Sequence, residues 1–304
     1  MRVNIMKNSL FKLSNIPVLI SAIIQIALTS LIIQCFGLLP SESLAASVLI
    51  YGVVALFMIS PVGEAVVRLF CGAKTIERKD WQSKLNIVMQ SIKTSAETRN
   101  ISIPEEIKIF YISSPIPNCF SIGRSICISS SLLDSDISVI KGCIAHETAH
   151  LASHDSVVTL LVNIGNFPMM AIVSLLQGLS SVNRFTSMFN RSIVMGLIHF
   201  FVAAMLFVPR IILRIFLGIT RLIMSVGSRQ KEFEADKVAV EIGFGRELRH
   251  ALLQTDFESQ TETRGLWQNL ISTHPSVHDR VGRIDSLLGN IPAHYNSDLY
   301  NAIR

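Results

Sequence analysis

The stretch that decides the fold is SDISVIKGCIAHETAHLASHD, residues 135–155, with the pattern HETAH at its centre. On an α-helix, His146 and His150 lie one turn apart on the same face, so both imidazoles can reach one metal ion at about 2.0–2.1 Å. Glu147 projects beside that ion, where its carboxylate can take a proton from a water molecule whose pKa zinc lowers to about 7. The spacing therefore predicts a zinc-binding helix suited to peptide hydrolysis.

A third ligand is needed, because two histidines on a helix can also simply pack or face solvent. His154 continues the i, i+4 series, but three such residues on a straight helix span about 12 Å, too far for one ion. The segment SRQKEFEADKVAV, residues 228–240, offers Glu232 and Asp236 on one helical face, with Glu234 pointing elsewhere. Glu232 can bind the metal while Asp236 holds a ligand histidine by its other ring nitrogen. The alternative is that Glu232 is an ordinary exposed acid.

The composition points to a membrane protein. Half of the 304 residues are hydrophobic and 16% are charged, whereas a soluble domain has about 25% charged residues. The net charge of +5 is modest and the sequence holds no nucleic-acid-binding motif, so we expect no nucleic-acid partner. The five cysteines include no C-x-x-C pair, which argues against a disulfide framework and against a cysteine zinc site.

Four apolar segments predict four transmembrane helices. A bilayer core requires about 20 apolar residues in a helix, and residues 16–39 carry no charge. This run is longer than the apolar region of a cleaved signal peptide, which is the alternative, so we expect an uncleaved anchor. The short loop PSES, residues 40–43, separates it from the second span. The other spans are predicted at residues 44–60, 157–179 and 193–209.

The fourth apolar run continues beyond its span to Val226. Arg210, Arg214 and Arg221 fall on one helical face of this continuation. Arginines near a membrane surface extend their charged groups to water. The pattern predicts one long helix that leaves the bilayer near Arg210.

Basic residues predict which side of the membrane the polar segments occupy, because they mark the cytoplasmic side. Arg184 and Arg191, between the third and fourth spans, weaken this rule without reversing it. We expect the N-terminus and both polar blocks, about residues 71–156 and 227–304, to be cytoplasmic. Two crossings then separate the histidine pair from Glu232, which leaves them on the same side. The basic residues that flank the first two spans are Arg2, Lys7, Lys12, Arg68, Lys74, Arg78 and Lys79.

The first polar block predicts a helix, three strands and a second helix. Apolar residues spaced for one helical face precede the segments EIKIFYI, CFSIG and SICISSS, which are typical of short strands. Ser135 or Asp136 can cap the helix that carries HETAH. Cys143, on that helix, is expected to be a small packed residue. The face of the first helix consists of Trp81, Leu85, Val88, Ile92 and Ala96.

Taken together, these residues resemble the HtpX-type integral-membrane zinc metalloproteases, relatives of the CAAX prenyl proteases. HETAH matches the family's zinc-binding helix, and EFEAD, residues 232–236, matches its E-(F/Y)-x-A-D motif. The resemblance implies one Zn²⁺ per chain held by His146, His150 and Glu232, with Glu147 as the base and Asp236 as a supporting residue.

Two further motifs carry the same resemblance. PNCFSIG, residues 117–123, is similar to the family's N-A-F-x-x-G strand and implies that an extended substrate pairs along Asn118, Cys119 and Phe120. THPSVHDR, residues 273–280, looks like the S/T-H-P-P-x-x-x-R motif. It implies His274 as a donor to the oxyanion and Arg280 as an active-site support. Without the resemblance, His274 reads equally well as a loop residue.

Two departures from the family's motifs stand at Cys119 and Ser276. Cys119 replaces the usual alanine of the strand motif, and Ser276 replaces the second proline of the late motif. Cysteine is bulkier than alanine, so this change can alter the substrate groove or expose a thiol. Neither departure removes a metal ligand or the base.

The expected fold is mainly α and integral to the membrane. Four transmembrane helices accompany a cytoplasmic α+β catalytic domain with a small sheet, of the zincin-like (gluzincin) type that the resemblance implies. The expected organisation is an anchor with two spans, the first part of the catalytic domain, two further spans and the second part of the catalytic domain. These segments cover residues 1–70, 71–156, 157–226 and 227–304.

The resemblance implies a membrane-bound endopeptidase that degrades misfolded or damaged membrane proteins, a quality-control role under stress. Its partners would be the lipid bilayer and membrane-protein or peptide substrates, and its location a bacterial inner membrane with the catalytic domain facing the cytoplasm. Two alternatives remain: a protease that processes one specific membrane substrate, and a non-catalytic membrane protein with a relic zinc site. The sequence does not reveal the oligomeric state.

Overall fold

The computed structural model describes residues 16–34, 37–189, 192–259 and 275–289. Within these ranges the fold is mostly helical with one small sheet, as predicted. The helices are α1 (Ile16–Gln34), α2 (Pro40–Ile59), α3 (Pro61–Phe70), α4 (Lys79–Thr98), α5 (Ser130–Leu133), α6 (Ile137–Ala152), α7 (Asp155–Met188), α8 (Ile193–Ile242), α9 (Gly245–Ser259) and α10 (Val277–Gly289). The strands are β1 (Ala73–Lys74), β2 (Lys108–Ile112), β3 (Cys119–Ile122) and β4 (Ser125–Ser129).

The chain divides into two compact units. The first, called here the site unit, contains the described residues of 65–157 and 228–289, and therefore both predicted ligand motifs. The second, called here the apolar unit, contains the described residues of 16–64 and 158–227. Helices α7 and α8 each contribute residues to both units.

The sheet of the site unit has the strand order β1-β2-β4-β3. Strands β2 and β4 run parallel, and the outer pairs are antiparallel. The three longer strands occupy the segments predicted from sequence. Among the described strands, β3 forms one edge of the sheet, with Cys119 opposite Ile128 of β4.

Helices α4 and α6 build the core of the site unit. The predicted face of α4 is buried throughout, because its apolar residues recur at helical spacing and pack into one hydrophobic cluster with α6 and β4. Asp136, one of the two predicted caps, accepts a hydrogen bond from the Ile137 amide and starts α6. Helix α6 ends at Ala152, and His154 adopts a left-handed backbone (φ 59°) before α7 begins.

Helix α6 approaches α9 backbone to backbone at Gly142. A Cβ atom at this position would lie 2.5 Å from the carbonyl oxygen of Glu247 and 2.5 Å from the amide nitrogen of Leu248. A Cβ atom does not approach a non-bonded atom this closely in real structures. The backbone of a packed helix also cannot move aside as the end of a flexible side chain can. Glycine therefore sets the spacing of the two helices one turn before the HETAH motif.

Among the residues that the structure describes, three helices are long and apolar enough to cross a membrane: α1, α2 and α8. Helix α2 begins earlier than predicted, because Pro40 fits the first turn and the Glu42 carboxylate accepts the Leu39 amide hydrogen bond at 3.2 Å. The third predicted span lies in α7, where the side chains of residues 158–169 are outside the description. Helix α8 has 50 residues and continues through Pro209. This agrees with the prediction that the fourth apolar run forms one long helix.

Candidate metal centre and active site

His146, His150 and Glu232 come together in the site unit. Helix α6 supplies both histidines and α8 supplies the glutamate, and all three side chains are buried. The two Nε2 atoms of the histidines lie 3.2 Å apart. The Glu232 carboxylate oxygens lie 3.3 Å from His146 Nε2 and 3.5 Å from His150 Nε2. Glu232 makes these two contacts through different oxygens, Oε2 toward His146 and Oε1 toward His150, so two imidazoles and one carboxylate form a compact triangle of metal-binding groups.

This triangle fits a zinc ion. Tetrahedral zinc with bonds of about 2.0–2.1 Å separates its ligand atoms by about 3.3–3.4 Å, close to the 3.2 Å between the two Nε2 atoms and the 3.3 Å from His146 Nε2 to Glu232 Oε2. The two Nε2 atoms also face each other at 3.2 Å. Because an unprotonated imidazole nitrogen carries a lone pair, this approach requires a shared proton or a cation between the rings. The chemistry and spacing of the donor set both suit Zn²⁺.

Each histidine has a carboxylate beside its other ring nitrogen. Asp236 Oδ1 lies 3.0 Å from His146 Nδ1, as the sequence predicts. Asp155 Oδ2 lies 3.7 Å from His150 Nδ1, and it accepts a hydrogen bond from Ser153 Oγ at 2.5 Å. Carboxylates in such positions fix the orientation and tautomer of metal-binding imidazoles.

Asp155 stands where the resembled family tends to have an aspartate before a span, but that resemblance gives it no role in the site. Its contact with His150 follows a left-handed backbone at His154, directly after which α7 begins at Asp155. An available signal was the residue type itself, an acid five positions after the second histidine and directly before an apolar run.

Two buried cations balance these carboxylates. Arg280, on α10, donates to Asp236 through Nε at 2.9 Å and Nη2 at 2.6 Å, and its Nη1 lies 3.2 Å from Glu232. Lys231 Nζ lies 3.4 Å from Asp155. A buried arginine that binds a carboxylate in two places is geometrically specific as well as strong. Arg280 therefore connects α10 to the metal-binding face of α8.

The electrostatics of the cluster favour a cation. Burial lowers the pKa of His150, but the adjacent Asp155 and Glu232 carboxylates outweigh it and raise the value to about 10. The pKa of His146 is likewise raised despite burial and the nearby Arg280, because the Asp236 and Glu232 carboxylates lie beside its two ring nitrogens. A proton and a metal ion are alternative occupants of the same imidazole nitrogens. The surrounding negative charge stabilises either one.

Glu147 is buried beside the ligand pair and close to two thiols. Burial, with a smaller contribution from the negative charge of Glu147, raises the pKa of Cys143 to about 12. The same two causes raise the pKa of Cys119 well above its usual value. Both thiols are therefore protonated near neutral pH and are poor nucleophiles and poor metal ligands. This agrees with the prediction that Cys143 is a packed residue.

The remaining predicted site residues have different outcomes. Cys119 and Phe120 lie on the edge strand β3. The backbone amide of Asn118, directly before this strand, donates a hydrogen bond to Ser129 Oγ at 2.9 Å. Glu234 is exposed, as predicted. His274 lies outside the described residues.

The two histidines and the buried Glu147 of the HExxH helix, together with the Glu232 carboxylate from a second helix, define a metallopeptidase site. The sequence profile of Peptidase family M48 matches residues 82–288, more than half of the chain. The chain therefore belongs to peptidase family M48. It is a zinc metallopeptidase of the HtpX type, and the resemblance found in its motifs is confirmed.

Individual relatives resemble the chain over nearly its whole length. A "Protease HtpX homolog" of Neisseria meningitidis is 26% identical over 295 residues, covering 91% of this chain and 98% of the relative. "Protease HtpX" of Legionella pneumophila is 25% identical over 300 residues, covering 87% and 97%. The crystal structure of S. mikatae Ste24p matches with a TM-score of 0.47 and 19% identity. That match covers 81% of this chain and 59% of Ste24p.

Proposed function

We propose that this membrane metalloprotease binds one Zn²⁺ between His146, His150 and Glu232 and degrades misfolded or damaged membrane proteins. The observation that carries the proposal is the buried triangle of ligand atoms, built from two helices far apart in sequence. When bound there, zinc supplies a Lewis acid that polarises a peptide carbonyl and increases the acidity of water.

The side chains around the triangle have separate roles in this proposal. Glu147 accepts a proton from the attacking water and passes it to the leaving amine. Arg280 keeps Asp236 ionised and in place, since it donates two hydrogen bonds to that carboxylate. Asp236 in turn holds the ring of His146. His274 is proposed as a donor to the oxyanion on the strength of the family motif.

The edge of the sheet is the proposed substrate site. Strand β3 pairs with β4 on one side, and its other edge is not paired with any described strand. An extended peptide can add to such an edge through backbone hydrogen bonds, with Asn118, Cys119 and Phe120 along it. Backbone pairing accepts many sequences but requires an unfolded segment, which favours damaged proteins as substrates.

The proposed topology has four spans and a cytoplasmic catalytic domain in a bacterial inner membrane. Support comes from the contact between Glu232 and the histidines, because residues in contact must lie on the same side of the bilayer. An even number of crossings therefore separates α6 from the end of α8. At about 1.5 Å per residue α8 is about 75 Å long, far more than a bilayer, so its later part extends outside the lipid. The proposed domain boundaries are those at residues 70, 156 and 226.

The quality-control role is tested with a reconstituted membrane substrate in a stable form and a destabilised form. We expect the destabilised form to be cut at many positions and at least about tenfold faster, because local unfolding exposes the extended segments that β3 would bind. Mapping the products by mass spectrometry distinguishes the alternatives. A single cut at one site in both forms would instead support a processing protease, and no cleavage at all would support a relic site.

Asp155→Asn should weaken zinc binding about tenfold, because asparagine keeps the size of the side chain but removes the charge beside His150. The measurement is zinc affinity by chelator competition, made in protein that also carries Glu147→Gln so that no self-cleavage occurs. The matched control is Asp285→Asn, which breaks an ion pair with Arg249 between α9 and α10, contacts no metal ligand in that pair, and should leave zinc affinity unchanged. Equal affinities for both variants would rule out a positioning role for Asp155.

A further inference from the structure

Helix α3 begins where the bilayer core should end. Helix α2 has 20 residues, which at about 1.5 Å each span about 30 Å, the thickness of the hydrocarbon core. It ends at Ile59, and Ser60 has an extended backbone (φ −74°, ψ 157°) before α3 starts at Pro61. The chain therefore changes direction after one bilayer thickness of helix.

The turn between α2 and α3 is tightly built. The Ser60 hydroxyl hydrogen-bonds the Phe57 carbonyl, and the amide of Gly63 donates to the same hydroxyl at 3.2 Å. The Glu64 amide donates to the Ser60 carbonyl at 3.0 Å. A Cβ atom at Gly63 would lie 2.3 Å from the Phe57 oxygen, so glycine permits the close approach. The change of direction is thus a specific turn and not the fraying of one long helix.

The two faces of α3 have different surroundings. On one face, the Arg68 guanidinium lies 4.6 Å from the centroid of the Phe110 ring on β2 and donates to Ser125 Oγ of β4 at 3.0 Å. On the other, Leu69 and Phe70 are 74% and 84% exposed. At 100° per residue, the exposed residues form one apolar stripe. That stripe consists of Val62, Ala65, Leu69 and Phe70.

We propose that α3 lies along the membrane surface with this stripe in the boundary between lipid headgroups and acyl chains. The bilayer is the partner that fits this stripe. Only the turn at Ser60 separates the stripe from α2, and apolar side chains of α2, among them Val53 and Leu56, are themselves exposed. A short helix with one apolar and one polar face is the form that binds at this depth.

This placement has a consequence for the sheet. Arg68 holds β2 and β4 to the inner face of α3, so the sheet lies at the lipid surface when the stripe is in the lipid. Strand β3 belongs to the same sheet. A segment that emerges from the bilayer would then meet β3 close to the membrane, a consequence that rests on the proposed function.

The test is tryptophan quenching by lipid in the full-length protein. Phe70→Trp is placed in nanodiscs of phosphatidylcholine with plain or brominated acyl chains, and Ile87→Trp, at an exposed position of α4, is the matched control. We expect the added emission of Phe70→Trp to be blue-shifted and quenched about twofold by the brominated lipid. Ile87→Trp should be quenched no more than the wild type, whose Trp81 and Trp267 set the background.

Two results would overturn the proposal. Quenching of Phe70→Trp no greater than that of Ile87→Trp would place α3 outside the lipid. Blue-shifted emission without quenching would mean that protein, such as a second copy of the chain, covers the stripe. Leu69→Trp should repeat the result of Phe70→Trp, which guards against a local effect of one substitution. The measurement requires no proteolysis, so it stands whether or not the proposed substrate role is correct.

Discussion

Glu147→Gln should reduce proteolysis about a thousandfold or more while the protein still binds about one zinc per chain. Glutamine has nearly the same size and keeps one carbonyl oxygen, so the buried site beside His146 should retain its shape. It cannot accept a proton from water at neutral pH, which removes the proposed base. The measurements are the rate of cleavage of a membrane-protein substrate and the zinc content of the same purified sample.

The control for this variant is Glu234→Gln, an exposed acid two positions from Glu232 on the same helix. It makes the same chemical change outside the ligand face and should leave both activity and zinc content near those of the wild type. Wild-type activity in Glu147→Gln would exclude the glutamate as base. Loss of zinc together with activity would show a structural role instead.

Gly142→Ala should destabilise the site unit by about 1–3 kcal/mol, a large effect for a single methyl group. The new Cβ atom would meet the backbone of Glu247 at 2.5 Å, and a helix backbone cannot move aside as a side chain does. Helices α6 and α9 would have to separate, and His146 lies one turn further along α6. We expect a lower melting temperature in detergent and weaker zinc binding.

Gly282→Ala provides the matched control, since Gly282 also lies within a helix of the site unit and nothing is within 4 Å of its added Cβ. Alanine is the better helix former by about 1 kcal/mol, so this variant should be slightly more stable than the wild type. Opposite shifts of melting temperature in the two variants would confirm that the close approach of α6 to α9, and not helix propensity, determines the stability of Gly142→Ala. Equal shifts would contradict the proposed close approach.

Features that depend on local spacing were predictable from the sequence. The α4 face, the three longer strands, the Asp136 cap and the shared face of Glu232 and Asp236 all follow from periodicity of 3.6 or 2 and from capping chemistry. The family motifs added which distant segments meet. For this reason, His146, His150 and Glu232 could be named as metal ligands before any contact between α6 and α8 was known.

Features that depend on contacts distant in sequence were not predictable. Asp155 reaches His150 only through the left-handed backbone at His154, and no local pattern predicts that conformation for a histidine. The two-residue strand β1 exists only through its pairing with β2. The second predicted span ends at residue 60, but no sequence pattern predicted that residues 61–70 form a separate helix.

The ligand set of the metal centre joins His150 to Glu232 across about eighty residues that include the whole of α7 and most of α8. An ion held by both ends acts as a removable cross-link that only the folded chain forms, because the ligands are not held together in the unfolded chain. Stability should then rise with the concentration of free zinc, by mass action. The supply of metal in the cell would thus set how much folded enzyme the membrane contains, as well as how much of it is active.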